Sequence, residues 1–260
     1  MLERVFIDVD GVKVSLLKGR ERKVFYIHSS GSDATQWVNQ LTAIGGYAID
    51  LPNHGQSDTV EVNSVDEYAY YASESLKKTV GKAVVVGHSL GGAVAQKLYL
   101  RNPEICLALV LVGTGARLRV LPEILEGLKK EPEKAVDLML SMAFASKGEE
   151  YEKKRREFLD RVDVLHLDLS LCDRFDLLED YRNGKLKIGV PTLVIVGEED
   201  KLTPLKYHEF FHKHIPNSEL VVIPGASHMV MLEKHVEFNE ALEKFLKKVG
   251  VAEVHHHHHH

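Results

Sequence analysis

The sequence predicts an α/β protein with an eight-stranded, mostly parallel sheet, helices on both faces and a helical cap. Short apolar runs rich in β-branched residues recur along the chain, as expected for strands buried on both faces. Helical patterns separate most of these runs, and this alternation is typical of a parallel sheet covered by helices. The predicted strands are residues 5–9, 12–17, 24–27, 47–49, 83–86, 107–112, 192–196 and 220–223.

The first two predicted strands are joined by a tight turn. Asp10-Gly11 lies between them, and this dipeptide suits the positive-φ positions of a two-residue hairpin. We therefore expect the sheet to begin with an antiparallel pair.

Two helices have clear signals. Ser64 is followed three residues later by Glu67, the spacing of a capping box. The apolar face of this helix consists of Tyr68, Ala69, Ala72 and Leu76. The last helix is predicted over residues 232–249. Its predicted core face consists of Val236, Leu242, Phe245 and Leu246.

The alternation of strand and helix breaks once, between residues 117 and 173. This stretch contains helical patterns without a convincing strand. We predict that residues 117–173 form a helical cap inserted into a core made of residues 1–116 and 174–254. The six histidines at 255–260 are a purification tag and take no part in the chemistry.

Composition narrows the classes of function. The 260 residues carry a formal net charge of −5 without a basic stripe, which argues against nucleic acid and for a small-molecule partner. No apolar run approaches the roughly 18 residues of a membrane span, and no secretion signal opens the chain. We expect a cytoplasmic monomer or homodimer in which Cys106 and Cys172 are reduced core residues.

Ser89 is the predicted nucleophile. It lies in Gly87-His88-Ser89-Leu90-Gly91, between a buried-type strand and a helical pattern. A serine on so sharp a turn is forced toward positive φ, and the flanking glycines remove side chains that would collide. We expect His88 to pack beside the sheet rather than react.

A serine hydroxyl needs a base, and the base needs an anion that orients it. His228 and Asp200 follow later strands, in the order serine, aspartate, histidine. Alternatively, Asp200 caps a helix and His228 is an ordinary loop residue. Glu198 and Glu199 are rivals for the acid, ranked below Asp200 but not excluded by spacing.

The sequence resembles the α/β-hydrolase superfamily, in its short-chain esterase, lipase and haloperoxidase-like branch. The matching segments, in chain order, are residues 26–28, 50–58, 87–92, 197–200 and 225–228. The resemblance implies the α/β-hydrolase fold and an oxyanion hole made by the backbone amides of Leu90 and Ser30. Ser29 departs from the family pattern, because it stands where relatives usually have glycine.

These residues together predict a carboxylic ester hydrolase that forms an acyl-enzyme and needs neither cofactor nor metal. An uncharged acyl group of short to medium length fits the apolar cavity expected between cap and sheet. The same groups serve a carbon–carbon bond hydrolase, an amidase or, with peroxide, a perhydrolase. A slow small-ligand receptor of the same fold is a rival of another class.

Other patterns offer competing interpretations. His208-Glu209-Phe210-Phe211-His212 fits the H-E-x-x-H motif of zinc peptidases, but no third ligand is evident, and we expect both histidines on the flank of an apolar helix face. His54 precedes the serine in the chain, and its neighbour Asp50 suggests that it braces its loop rather than acts as the base. The remaining expectations are a solvated face for Lys153, Lys154, Arg155 and Arg156, and a helix core or acyl-pocket wall for Met139, Met142 and Phe144.

Overall fold

The computed structural model describes residues 1–253, so the tag at 255–260 lies outside it. The strands are β1 (Glu3–Val9), β2 (Val12–Lys18), β3 (Val24–Ile27), β4 (Tyr47–Ile49), β5 (Ala83–His88), β6 (Cys106–Val112), β7 (Thr192–Gly197) and β8 (Ser218–Ile223). They form one sheet in the order β1-β2-β4-β3-β5-β6-β7-β8. All eight predicted strands are confirmed, with ends that differ by at most two residues.

The sheet begins with the predicted antiparallel hairpin. Asp10 and Gly11 take φ values of 52° and 83°, and Val9 pairs with Val12 across the turn. Strand β2 is also antiparallel to β4, whereas β3 to β8 pair in parallel. The loops after β3, β5, β7 and β8 therefore lie at one edge of the sheet, where ligands of such folds bind.

Helices cover both faces of the sheet. They are α1 (Val38–Ala43), α2 (Val65–Lys78), α3 (Leu90–Arg101), α4 (Pro122–Lys130), α5 (Pro132–Ala143), α6 (Glu149–Asp160), α7 (Val162–Arg174), α8 (Leu178–Arg182), α9 (Leu205–His214), α10 (Val230–Glu233) and α11 (His235–Lys248). In the described part of the chain, none of them is long and apolar enough to cross a membrane.

The core consists of two apolar clusters, one on each face. Side chains of β5 alternate between them, because successive residues of a strand point to opposite faces. Val85 belongs to the cluster that includes residues of α2 and α3. Val84 and Val86 belong to the other, with Trp37 and Phe238. Burial on both faces explains why the strand reads as a continuous apolar run.

Helices α4 to α8, here called the helical insertion (residues 122–182), lie between β6 and β7 in the chain. The sequence boundary of 117–173 stays a prediction. The buried side chains of α4, α5 and α7 join the same two clusters as the sheet. The insertion is therefore packed on the core rather than a separate apolar unit.

The last helix differs from its prediction. Lys234 leaves the helical region, with φ −134° and ψ 55°, and separates α10 from α11. The buried face of α11 then starts at Phe238 and continues through the predicted Leu242, Phe245 and Leu246. Val236 lies two residues before Phe238, on the other side of the helix, and is 53% exposed. Its predicted core position is wrong.

Helix α2 begins one residue after Ser64, as predicted, and its four predicted apolar residues are buried. The capping box is not formed. The Ser64 side chain makes no capping hydrogen bond, and the Glu67 amide donates to the Ser64 carbonyl instead. Both cysteines are buried and reduced, as expected.

Candidate active site

Ser89 occupies the turn between β5 and α3. Its φ of 55° and ψ of −113° lie in a region that residues other than glycine rarely adopt. A Cβ at Gly87 would overlap the carbonyl of Gly91, and a Cβ at Gly91 would overlap the carbonyl of Ile27. The two glycines are therefore required by close backbone approach, and the strained turn leaves Ser89 on the wall of a cavity.

Asp200 and His228 meet at the ends of neighbouring strands. Nδ1 of His228 lies 2.9 Å from Oδ2 of Asp200. The other carboxylate oxygen accepts from the amides of Leu202 at 3.0 Å and Thr203 at 2.9 Å. Burial opposes ionisation of Asp200, but the His228 charge and these hydrogen bonds outweigh it and lower its pKa. The anion thus holds His228 with a proton on Nδ1.

The rival acids do not occupy this position. Glu198 and Glu199 are exposed, and their amides donate to the carbonyls of Ile223 and Ala226. Of the three acidic residues after β7, Asp200 is the one that contacts His228.

The Ser30 amide is available to a ligand in the loop after β3. The Ser29 amide donates to Gln36, the Gly31 amide to Asp168 and the Ser32 amide to the Ser29 carbonyl. Among residues 1–253, no hydrogen bond engages the amide of Ser30. The amide of Leu90 lies in the first turn of α3, where the helix supplies no acceptor. Both amides predicted for the oxyanion hole are therefore free to donate.

A cavity of about 450 Å³ joins these groups. Ser30, Ser89 and His228 line it, although no hydrogen bond joins Ser89 to His228 in the described chain. Hydrogen bonds of this kind often tighten only when substrate binds. The remaining wall is mainly apolar and includes Leu118, Ile124, Leu140, Phe158, Leu165 and Leu169; the cationic lining residues are Arg119, Lys201 and Lys206.

The sulfur-containing residues of α5 reach the cavity. Met139 and Met142 line it, whereas Phe144 packs against Tyr151 with ring centroids 5.5 Å apart. Met139 is therefore both a buried core residue and part of the cavity wall, Met142 is a half-buried wall residue, and Phe144 belongs to the core alone.

A model of the alpha/beta hydrolase family matches residues 24–241. The chain belongs to the α/β-hydrolase family. It is 30% identical over 255 residues to a pimeloyl-[acyl-carrier protein] methyl ester esterase of Neisseria meningitidis serogroup B, covering 88% of this chain and 94% of the relative. It is 27% identical over 247 residues to a 2-hydroxy-6-oxononadienedioate/2-hydroxy-6-oxononatrienedioate hydrolase of Burkholderia vietnamiensis, covering 85% and 86%.

Solved structures agree on the fold of this α/β hydrolase. An esterase from Exiguobacterium antarcticum superposes with a TM-score of 0.84 at 21% identity, over 94% of this chain and all of that one. The predicted fold and superfamily are thus confirmed, and the curated relatives include both ester and carbon–carbon bond hydrolases.

A buried chain of hydrogen bonds joins the loop after β3 to His228 in this hydrolase. Oε1 of Gln36 accepts from the amide and the hydroxyl of Ser29, at 3.1 and 2.8 Å. The Gln36 nitrogen donates to Nδ1 of His88 at 2.9 Å, so Nε2 of His88 carries the proton and donates to the His228 carbonyl at 2.8 Å. Burial and His228 hold the pKa of the buried His88 well below its usual value.

Replacing Gln36 by methionine, which has a similar shape, is expected to lower the free energy of unfolding by about 2–4 kcal/mol, because three buried polar groups lose a partner. Urea titration of the two proteins measures the change. Gln56 is exposed, so Gln56→Met serves as the matched control and should stay within about 0.5 kcal/mol of the parent. Equal losses in both variants would contradict the interpretation.

His54 has a partner that the sequence did not indicate. Its Nε2 lies 2.5 Å from Oδ2 of Asp168, and both side chains are fully buried. The expected partner, Asp50, instead accepts from the Arg4 guanidinium and from the amide of Ala34. His54 and Asp50 each bond a backbone group of this loop, Pro52 and Gln56 respectively, as expected of bracing residues. The carboxylate that reaches His54, however, comes from the helical insertion and not from Asp50.

The zinc-motif histidines are held by other groups. His208 is buried, not on a half-exposed flank: Nε2 accepts from the Thr114 amide at 3.0 Å and Nδ1 donates to the Pro204 carbonyl at 3.1 Å. Burial lowers its pKa to about 4. Nδ1 of His212 lies 3.1 Å from the Ser218 hydroxyl. Within residues 1–253, no three histidine, cysteine, aspartate or glutamate side chains cluster as a metal site would require.

The basic run of α6 is only partly a solvated face. Lys153 and Arg156 are exposed, but Lys154 is 5% exposed. Its ammonium group donates to the Ser32 hydroxyl at 3.1 Å and pairs with Glu157 at 3.0 Å. Four consecutive basic residues predict a solvent-exposed helix face. Lys154 lies one turn before the buried Phe158, however, and this spacing indicates that Lys154 faces inward.

Proposed function

We propose that this protein is a serine hydrolase that cleaves carboxylic esters of short to medium acyl chain length. One observation carries the proposal. Ser89, at positive φ in the turn between β5 and α3, lines the same mainly apolar cavity as His228, and His228 is bonded to the buried Asp200. The proposed roles are nucleophile for Ser89, general base for His228 and orienting anion for Asp200. The amides of Ser30 and Leu90 are proposed to form the oxyanion hole.

In the proposed reaction, Nε2 of His228 takes the proton of the Ser89 hydroxyl as Oγ attacks the ester carbonyl. The developing oxyanion accepts hydrogen bonds from the amides of Ser30 and Leu90. His228 then protonates the leaving alcohol, and an acyl-enzyme remains on Ser89. Water, deprotonated by His228, attacks the acyl carbon and releases the acid. Besides substrate and water, these reaction steps use only side chains and backbone amides of the protein.

The cavity supports an apolar acyl group. Its volume of about 450 Å³ lies within the range of small-molecule sites, and apolar side chains of the insertion form much of its wall. We propose that the insertion acts as the cap. The named activity of the Neisseria meningitidis relative, a methyl ester esterase, supports ester cleavage by this chain.

A carbon–carbon bond hydrolase is the second candidate. The Burkholderia vietnamiensis relative is named as a 2-hydroxy-6-oxononadienedioate hydrolase. That substrate class carries carboxylates, and the cavity lining includes Arg119, Lys201 and Lys206. The three cations are exposed, so they remain solvated and constrain the choice less than the apolar wall does.

A panel of substrates tests the choice between an ester hydrolase and a carbon–carbon bond hydrolase. We expect turnover of p-nitrophenyl acetate, butyrate and octanoate, and slower cleavage of the palmitate ester, as the proposed preference for short to medium acyl chains requires. The panel includes the monomethyl ester of a dicarboxylic acid and a vinylogous diketone. Faster turnover of the diketone than of every ester would favour the carbon–carbon hydrolase. Tight binding without steady-state turnover would indicate a receptor.

Covalent labelling tests the nucleophile directly. A fluorophosphonate probe is expected to label the parent protein and not Ser89→Ala, because phosphonylation requires an activated serine hydroxyl. Labelling that persists in the variant would refute the proposed nucleophile whatever the substrate profile.

A further inference from the structure

Asp168 of α7 is a fully buried carboxylate with three donors from separate segments of the chain. Oδ2 accepts from Nε2 of His54 at 2.5 Å and from the Gly31 amide at 2.8 Å. Oδ1 accepts from the Tyr68 hydroxyl at 2.8 Å. A side chain of the helical insertion therefore bonds the loop after β3, the loop after β4 and helix α2 at one point.

The pair of His54 and Asp168 is ionic. Both ring nitrogens of His54 face groups that only accept, because Nδ1 lies 2.9 Å from the Pro52 carbonyl and Nε2 faces the carboxylate. Each nitrogen must then carry a proton, which makes the ring an imidazolium ion. Burial opposes that charge, but the Asp168 carboxylate outweighs it, and the pKa of His54 is raised.

The ring next to this pair is neutral. His28 lies 4.7 Å from His54 between ring centroids. Its Nε2 accepts from the Leu51 amide, and its Nδ1 donates to the Ser29 carbonyl at 2.8 Å. Burial, followed by the charge on His54, lowers the pKa of His28 to about 3. One protonated and one neutral histidine thus lie side by side under the loop.

These bonds fix the peptide groups around the free amide of Ser30. The Ser30 amide shares a planar peptide unit with the Ser29 carbonyl, which accepts from His28 and from the Ser32 amide. The next peptide unit ends in the Gly31 amide, which Asp168 holds. Fixing both units fixes the direction in which the Ser30 N–H points.

The insertion contacts the same loop at further positions. The Arg161 guanidinium donates to the carbonyls of Gly31 and Ser32, at 3.3 and 3.2 Å. A Cβ at Gly31, whose φ is 66°, would lie 3.0 Å from a methyl group of Leu165. The loop therefore rests directly on the insertion, and Asp168 is its most buried polar contact there.

We propose that Asp168, paired with His54, is a positioning residue for the oxyanion hole. It acts through the Gly31 amide, which sets the orientation of the Ser30 N–H. The inference rests on the proposed function and makes the insertion a structural part of the catalytic site as well as a wall of the substrate cavity. Displacement of α7 would remove the acceptor from the Gly31 amide and release the loop.

Asp168→Ala and Asp168→Asn test the proposal. Alanine removes the acceptor from Gly31, and kcat is expected to fall about 10-fold to 100-fold, because misplacing a catalytic group by about 1 Å costs that much. KM should change less than about 3-fold, since the loop acts on the transition state. Asparagine keeps an oxygen that can face Gly31 and should recover part of the lost kcat.

A trifluoromethyl ketone, which forms a tetrahedral oxyanion adduct with the serine, separates positioning from general destabilisation. Its inhibition constant should rise in Asp168→Ala by the same factor as kcat/KM falls, whereas the constant of the matching methyl ketone should not change. Asp137→Ala is the control, because Asp137 bonds Arg155 within the insertion and leaves the loop untouched. That variant should retain the parent kcat.

The outcomes separate the two proposals. If the parent protein fails to react with a fluorophosphonate, the proposed function fails. If the parent reacts and a folded Asp168→Ala variant keeps the parent kcat or ketone affinity, only the role of Asp168 is overturned. Should the alanine variant not fold, Asp168→Asn decides: kcat and ketone affinity both equal to those of the parent would overturn the role.

Discussion

Replacing Ser89 by alanine is expected to lower kcat for p-nitrophenyl butyrate by about a million-fold, to the level left by binding alone. His228→Ala should cost about the same, and the double variant no more than either single one. The reason is that the two side chains act in one step, in which His228 takes the hydroxyl proton while the Ser89 oxygen attacks the ester carbonyl. Without the hydroxyl there is no nucleophile, and without the imidazole the hydroxyl keeps its proton.

Matched controls identify losses that come from folding. Ser170 bonds its hydroxyl to a carbonyl of its own helix, and His235 is exposed at the start of α11. Ser170→Ala and His235→Ala should keep the parent kcat within about 3-fold, as expected for substitutions away from the site. Additive losses in the double variant would mean that Ser89 and His228 act in separate steps, which the proposed mechanism excludes.

The fold and the central geometry followed from local patterns. A continuous apolar run predicts a strand buried on both faces, and a serine between glycines predicts a strained turn. Each of these patterns lies within a few consecutive residues, so the sequence alone shows it. The contact of Asp200 with His228 could be predicted from the sequence for a related reason. Each follows a predicted strand, and parallel strands bring their carboxyl ends to one edge of the sheet.

The contacts of the insertion had no such local signal. His54 and Asp168 are 114 positions apart, and their meeting depends on how α7 packs over the sheet. The sequence suggested Asp50 as the partner of His54 because the two residues are only four positions apart in the chain. Lys154 differs in part, because its helical spacing to the buried Phe158 was a local signal, whereas the hydroxyl that receives its ammonium group belongs to Ser32, 122 positions away in the chain.

The departure at Ser29 has a physical explanation. Within residues 1–253, the non-glycine residues with positive φ are Asp10, Asn53 and Ser89, so the backbone at position 29 does not require glycine. The left-handed conformation in this loop belongs to Gly31. The Ser29 hydroxyl adds a hydrogen bond to Gln36, so the serine stabilises the loop at the position where the sequence departs from the family pattern.

Asp200→Asn is expected to lower kcat by about 10 000-fold while leaving the fold intact. The structure determines how the new amide would lie. Oδ1 of Asp200 accepts from the amides of Leu202 and Thr203, which only donate, so the asparagine oxygen must take that place. Its nitrogen then faces Nδ1 of His228 and donates to it. The ring proton moves to Nε2, where His228 no longer accepts a proton from Ser89.

The same variant separates loss of the base from loss of binding. KM should stay within about 3-fold of the parent value, because the apolar cavity is unchanged, and the rate of fluorophosphonate labelling should fall with kcat, because it also needs the serine deprotonated. Glu199→Gln removes the neighbouring, exposed carboxylate and should change neither rate. A 10 000-fold loss in Glu199→Gln with little loss in Asp200→Asn would transfer the orienting role to Glu199. Little loss in both would mean that His228 holds its productive tautomer without a carboxylate, and the proposed triad would then reduce to a serine–histidine pair.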